Sequence, residues 1–105
     1  MLRLLADMVG EHVLVRSRGS GVWVATLVDA EGTNVLVREA RRIWQWRGGA
    51  LECAELATRG PDDATISVES PAVVITEVCE IHPCAPAARK RILACPEGAR
   101  GRNGS

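Results

Sequence analysis

Apolar residues gather along the chain in short blocks, separated by clusters of glycine, proline and charged residues. Residues 11–17, EHVLVRS, and 21–29, GVWVATLVD, are rich in β-branched residues. Between them lies Arg18-Gly19-Ser20-Gly21, whose two glycines take positive φ without penalty, so the pair predicts a hairpin. A second turn, Ala30 to Asn34, leads into NVLVREARRIWQW. That stretch reads as one strand over Val35–Arg38 and another over Arg42–Trp46 with a break near Ala40, completing a four-strand antiparallel meander. Gly48 and Gly49 stop the sheet. ALECAELAT then predicts a short helix ended by Gly60 and Pro61, with Glu55 and Arg59 at the favourable i, i+4 spacing. The segment PDDATISVESP, with a proline at each end, reads as a loop or edge. AVVITEVCEI, residues 72 to 81, predicts one further strand, and Pro86 opens a C-terminal helix over 86–95 that Pro96 closes. The expected fold is α+β: a small antiparallel sheet of about five strands, a short helix after strand four and a short C-terminal helix. One domain over 1–98 is expected, with a Gly-rich tail, 99–105, expected to be disordered.

Composition adds a constraint on the core. Hydrophobic residues make up 47% of the chain and charged residues 25%, the balance of an ordinary folded domain, yet Phe and Tyr are absent and only three Trp supply aromatic bulk. The core must be built from Val, Leu, Ile, Ala and Cys. At 105 residues such a core leaves a modest stability margin, so completion by self-association, a homo-oligomer, is expected. No apolar run approaches the roughly 18 residues that span a bilayer. The start, MLRLLADMVG, is too short and too acid-interrupted for a signal peptide. A cytosolic protein without membrane contact is expected.

The net charge of zero hides an order. Residues 1–50 carry seven Arg against five acids, residues 51–82 one Arg against seven acids, and residues 83–105 five bases against one acid. A protein that coats nucleic acid carries an overall basic excess, so bulk nucleic-acid binding is disfavoured while a local basic pocket stays open. Twelve of the thirteen basic residues are Arg, the better fork for phosphate. The four cysteines, Cys53, Cys79, Cys84 and Cys95, lack the C-x-x-C spacing of zinc ribbons and redox dithiols, and read as buried free thiols. Cys79 and His82 fall on opposite faces of a strand, which argues against a metal site with Cys84. No metal, no cofactor and no catalytic constellation is expected, since neither His12 nor His82 has a spaced hydroxyl or carboxylate partner.

The chemistry concentrates in ARRIWQWR. On a strand, Arg42, Trp44 and Trp46 share one face, and Arg41, Ile43, Gln45 and Arg47 the other. An indole stacks on a nucleobase for about 1–3 kcal/mol, and a guanidinium grips phosphate bidentately, so this face suits a nucleotide. The plainer alternative makes Trp44 and Trp46 core residues with Arg42 covering them. Trp23 alternates with Val22 and Val24 and is exposed if those valines face the core. The turn beside it can offer backbone N–H groups to an anion. Arg89-Lys90-Arg91 on the last helix is either a solvated face or, near a symmetry axis, the lining of a charged pocket. The candidate ligand contacts are therefore Arg16, Arg18, Ser20, Gly21, Trp23, Arg41, Arg42, Trp44, Trp46, Arg89 and Arg91.

The order VLVRS…GVWVATL, then ARRIWQWRGGALECAELATRG, then VVITEVCEIHPC before an Ala-rich helix, resembles the Thoeris anti-defence protein 1 group of small phage and prophage proteins. Ala40 to Trp46, with Gly48 to Ala50 and Gly60, match the group's central pattern, and the likeness spans about residues 11–95. The resemblance implies a sponge rather than an enzyme, one that sequesters cyclic ADP-ribose isomers made by TIR defence enzymes. Some members also hold cyclic trinucleotides of CBASS-type immunity. It further implies a dimer, or a hexamer built as a trimer of dimers, working in the host bacterial cytoplasm. Two other readings remain: a phage particle or assembly protein whose Trp and Arg make protein contacts, and a single-strand nucleic-acid binder.

Overall fold

The computed structural model describes residues 6–47, 53–61 and 63–98. Along the chain run β1 (His12–Ser17), β2 (Gly21–Glu31), β3 (Asn34–Arg47), α1 (Cys53–Arg59), β4 (Asp63–Ile66), β5 (Ser70–Ile75), β6 (Val78–Pro83) and α2 (Pro86–Leu93). The strands form one antiparallel sheet in which β6, β1, β2 and β3 are successive neighbours. Both β4 and β5 lie against the other side of β3, β5 along Val35–Ala40 and β4 along Ile43–Arg47.

The sheet is rolled, and hydrogen bonds at the two ends of β2 prove it. Laid flat, the 11 residues of β2 would cover about 35 Å. Yet Arg18, just before β2, donates its N–H to Glu77 O (3.0 Å), while Thr33, just after it, accepts from Val78 N (2.9 Å). Both hairpin tips thus meet adjacent residues of the β5–β6 link. Register shifts supply the bending: one between Val24 and Thr26 against β3, a second between Leu27 and Asp29. Glu39 sits at the first of these with φ 53°, and Glu77 turns the chain between β5 and β6 with φ 55°. The first bulge is pinned by Thr26, whose buried hydroxyl donates to Glu39 Oε1 (3.1 Å) and shares a hydrogen bond with His12 Nδ1 (3.2 Å).

Rolling gives the sheet two buried faces. Val13, Val15, Leu27, Val37, Ala40 and Ile75 fill the inside of the roll. Leu14, Val24 and Ile43, on the opposite face, pack with Leu56 of α1 and with Ala88 and Ile92 of α2. The core is the small-aliphatic one that the missing Phe and Tyr require. Gly60 ends α1 with φ +77° and its N–H on Leu56 O, and a Cβ there would lie 3.1 Å from Ala88 O, so glycine also permits the close approach of α2.

The fold departs from the sequence reading in three places. The two strands drawn over Val35–Arg38 and Arg42–Trp46 are one bulged strand, so the first helix follows strand three rather than four. The polar segment 61–71, expected to be a loop or edge, holds the edge strand β4 and the start of β5, which add to the expected strand count. The single strand drawn over 72–81 is two, because Glu77 redirects the chain from the β3 side of the sheet to the β1 side. Among the described residues the result is six strands and a mostly β fold. The C-terminal helix begins at Pro86 as expected and ends at Leu93, two residues before the expected end. The 99–105 tail, the glycine pair at 48–49 and the Glu55 side chain lie outside the described residues. Among the described residues no helix is long and apolar enough to cross a membrane.

Candidate functional site

The inner face of β3 changes character along its length. Val35, Val37 and Ala40 close the core, and beyond the bulge at Glu39 the same face continues with Arg42 and Trp44. Trp23 of β2 stands directly opposite Arg42 in the ladder and packs on the rim of the inner core. The Arg42 guanidinium carbon lies 4.4 Å from the Trp44 ring centroid and 5.6 Å from that of Trp23, both inside cation–π range. The three side chains are half-buried, at the mouth of the roll. The Trp23 indole N–H donates to Ser20 Oγ (3.2 Å), and the Trp44 indole N–H to Gly98 O (3.1 Å). Gly21, with φ +86°, places the spot a Cβ would take 3.5 Å from Arg42 Nε, so the guanidinium lies along bare backbone.

Of the candidate contacts, the structure therefore brings together Ser20, Gly21, Trp23, Arg42 and Trp44. Arg18 is exposed on the adjoining hairpin tip. The Trp46 side chain lies outside the described residues. The others are elsewhere. Arg41, one residue from Arg42, points to the opposite face, where it donates to Ser67 O (3.2 Å) and pairs with Glu97. Arg16 shares the Leu14 face and bonds Glu80 (3.1 Å). Arg91 donates to Arg59 O (3.1 Å), and with Arg89 it belongs to α2, on the face away from Trp23 and Trp44.

The β1–β2 turn is not a free anion nest. Ser17, a buried residue, accepts from the N–H groups of Gly19 (3.3 Å) and Ser20 (3.2 Å) and donates its own proton to Thr76 O (2.6 Å). With Arg18 N–H on Glu77 O, these donors are spent on closing the roll. The indoles and Arg42 are the chemistry this mouth presents. Indole rings are groups that stack on planar partners, and a guanidinium is a group that pairs with anions.

Both histidines have partners that spacing did not reveal. His82 Nε2 lies 2.8 Å from Glu80 Oε1, which together with Arg16 holds the Glu80 carboxyl below the usual carboxylate range. His12, Thr26 and Glu39 form a row in which the hydroxyl sits between imidazole and carboxylate. In a nucleophile relay the imidazole occupies the middle, so this row braces the bulge instead. Cys53 and Cys84 are buried as the composition suggested, but Cys79 is exposed and Cys95 half-buried. Burial pushes the Cys84 thiol up to about 11. Among the described residues, no three His, Cys, Asp or Glu side chains converge on a common metal position.

A small rolled antiparallel sheet with an Arg–Trp mouth defines the class of molecule. Residues 10–92 match DUF6948, a domain of unknown function, and the chain belongs to that family. No curated protein matches it. Among solved structures it is similar to a heptameric archaeal Sm protein, with a TM-score of 0.53 and 21% identity over 78% of this chain and 97% of that one. At that identity the likeness describes the fold, which is Sm-like.

Proposed function

We propose that this chain is a non-enzymatic binding protein that sequesters cyclic nucleotide immune signals, cyclic ADP-ribose isomers or cyclic trinucleotides, in the cytoplasm of a bacterial host. It would thereby blunt immunity of the Thoeris or CBASS type. The observation that carries this reading is the guanidinium of Arg42 lying against two indoles at the mouth of the roll. Adenine and Arg42 are both planar groups that stack on indole, and a phosphate matches the guanidinium edge. The resemblance carried by Ala40 to Trp46 points to the same ligand class.

Self-association is part of the reading, as a dimer or a trimer of dimers. Among the described residues β5 pairs only with β3 and β6 only with β1, which leaves two strand edges open. Beside the β5 edge, Val74 is 61% exposed and faces its ladder partner Leu36, 37% exposed. The heptameric assembly of the Sm neighbour is a precedent for rings built on this fold.

Sequestration is separated from catalysis by recovering the ligand. The protein is incubated with a cyclic ADP-ribose isomer or cyclic tri-AMP, filtered, then heat-denatured, and the released compound is chromatographed. The reading expects depletion of the filtrate and intact ligand after heating. Hydrolysed product, or a filtrate undepleted for every compound, contradicts it; depletion of single-stranded oligonucleotides alone favours the nucleic-acid binder.

A further inference from the structure

Trp44 owes its orientation to a segment far away in sequence. Its indole N–H donates to Gly98 O across 54 positions (3.1 Å). Residues 96–98 in turn lie against β4: Ile66 N donates to Pro96 O (3.0 Å), Gly98 N donates to Ile66 O (2.9 Å), and Ile66 and Glu97 form a parallel bridge. The approach is close, since a Cβ at Gly98 would lie 3.1 Å from Thr65 Cγ2. On the other face of β3 the Glu97 carboxylate meets Arg41, which also reaches Ser67 O and lies 4.0 Å from Glu69. Arg41 and Trp44, three residues apart and on opposite faces of one strand, thus grip the same three-residue strap.

We infer that Arg41 is a positioning residue of the stacking site: through Glu97 it anchors the strap whose Gly98 carbonyl sets the Trp44 ring against Arg42. The geometry stands by itself, and only its consequence for affinity rests on the proposed function. An indole has two rotatable side-chain torsions, and a directional N–H···O bond removes much of that freedom before a ligand arrives. Losing the anchor returns the ring to several orientations, and the ordering then falls on the binding step. Arg41 itself does not touch ligand in this arrangement, because it faces away from the two indoles.

The test uses the full chain and the three indole N–H signals of its ¹H–¹⁵N spectrum, with Trp44 assigned by the signal lost in Trp44→Phe. In Arg41→Ala, and to a smaller degree in Glu97→Gln, the Trp44 indole signal should shift and exchange faster with solvent while that of Trp23 stays in place. Glu97 is half exposed, so Glu97→Gln is expected to fold even if Arg41→Ala does not. Affinity for the cyclic ADP-ribose isomer or cyclic tri-AMP should fall roughly three- to tenfold in Arg41→Ala, the scale of ordering one side chain. Arg41→Lys and the charge-swapped pair Arg41→Glu with Glu97→Arg should recover most of both effects. An unmoved Trp44 signal in Glu97→Gln and Arg41→Ala overturns the inference. So does a hundredfold loss of affinity with an unmoved signal, which would make Arg41 a direct contact. If neither compound binds the wild type, the proposed function fails while the indole signals still decide the role of Arg41.

Discussion

Trp23 and Arg42 face each other across the β2–β3 ladder, and the Arg42 guanidinium lies over both Trp23 and Trp44, two residues farther along its own strand. This answers why a chain with three tryptophans sets two of them beside arginines: at least one arginine is a stacking partner. Arg42 completes a planar, cationic surface where the inner face of β3 leaves the core. Its neighbour Arg41 serves the other face.

Closure of the roll runs through Glu77, which holds φ 55° without being glycine. A side chain in the left-handed region costs roughly 1–2 kcal/mol. Glu77→Gly should therefore stabilise the protein by up to about 1 kcal/mol after the added backbone freedom of glycine is subtracted, read as a rise in melting temperature. Glu77→Val should lower it clearly, since a β-branched residue tolerates that conformation worst.

The strands were legible because Val and Ile cluster between glycine-bearing turns, and the same-face relation of Arg42 and Trp44 followed from alternation alone. The bulge at Glu39 lies upstream of both and leaves their parity intact. The roll was not legible. It depends on positive φ at Glu39 and Glu77, where no glycine advertises it, and on contacts such as Arg18 with Glu77 that no local pattern encodes. The same holds for the partners of Arg41 and Arg16, which are 56 and 64 residues away. Segment 61–71 reads only as a loop or edge because the edge strand β4 has just four residues and is held by β3 and by residues 96–98.

Burial inside the roll contributes to stability. Leu27, fully buried inside the roll, should cost about 2–5 kcal/mol when changed to Ala, through lost transfer energy and the cavity left behind. Val68→Ala, on the exposed link between β4 and β5, should stay within about 0.5 kcal/mol. Urea midpoints of the two variants compare the effects directly.

Thiol reactivity should rank by exposure. At pH 8 Cys79 should be alkylated first, while Cys84, buried and with its thiol pushed up to about 11, should react only as the protein unfolds. Mass mapping after a timed pulse of iodoacetamide reads the order.

Glu80 makes a small acid-side contribution. Its hydrogen bond to His82, and then that to Arg16, depress its folded pKa below the ordinary 4.5. The stabilisation is present above that value and is lost as pH falls through the depressed one. Wild-type stability should therefore drop more steeply below pH 4.5 than that of Glu80→Gln, as followed by melting temperature.

The central claim, that the Arg42 stack is a nucleotide site, is tested most directly by calorimetric titration of wild type and Arg42→Ala with a cyclic ADP-ribose isomer and cyclic tri-AMP. The account predicts saturable binding to wild type and a loss of about 1.5–3 kcal/mol in Arg42→Ala, the range for a hydrogen bond to a charged group. The melting temperature should change little, because Arg42 is half-exposed and polar or cation–π contacts at such a site are each worth only about 0.5–1 kcal/mol. Equal affinity in the two proteins, or no heat with either compound while Arg42→Ala unfolds, would contradict it and leave the tryptophans and Arg42 as packing.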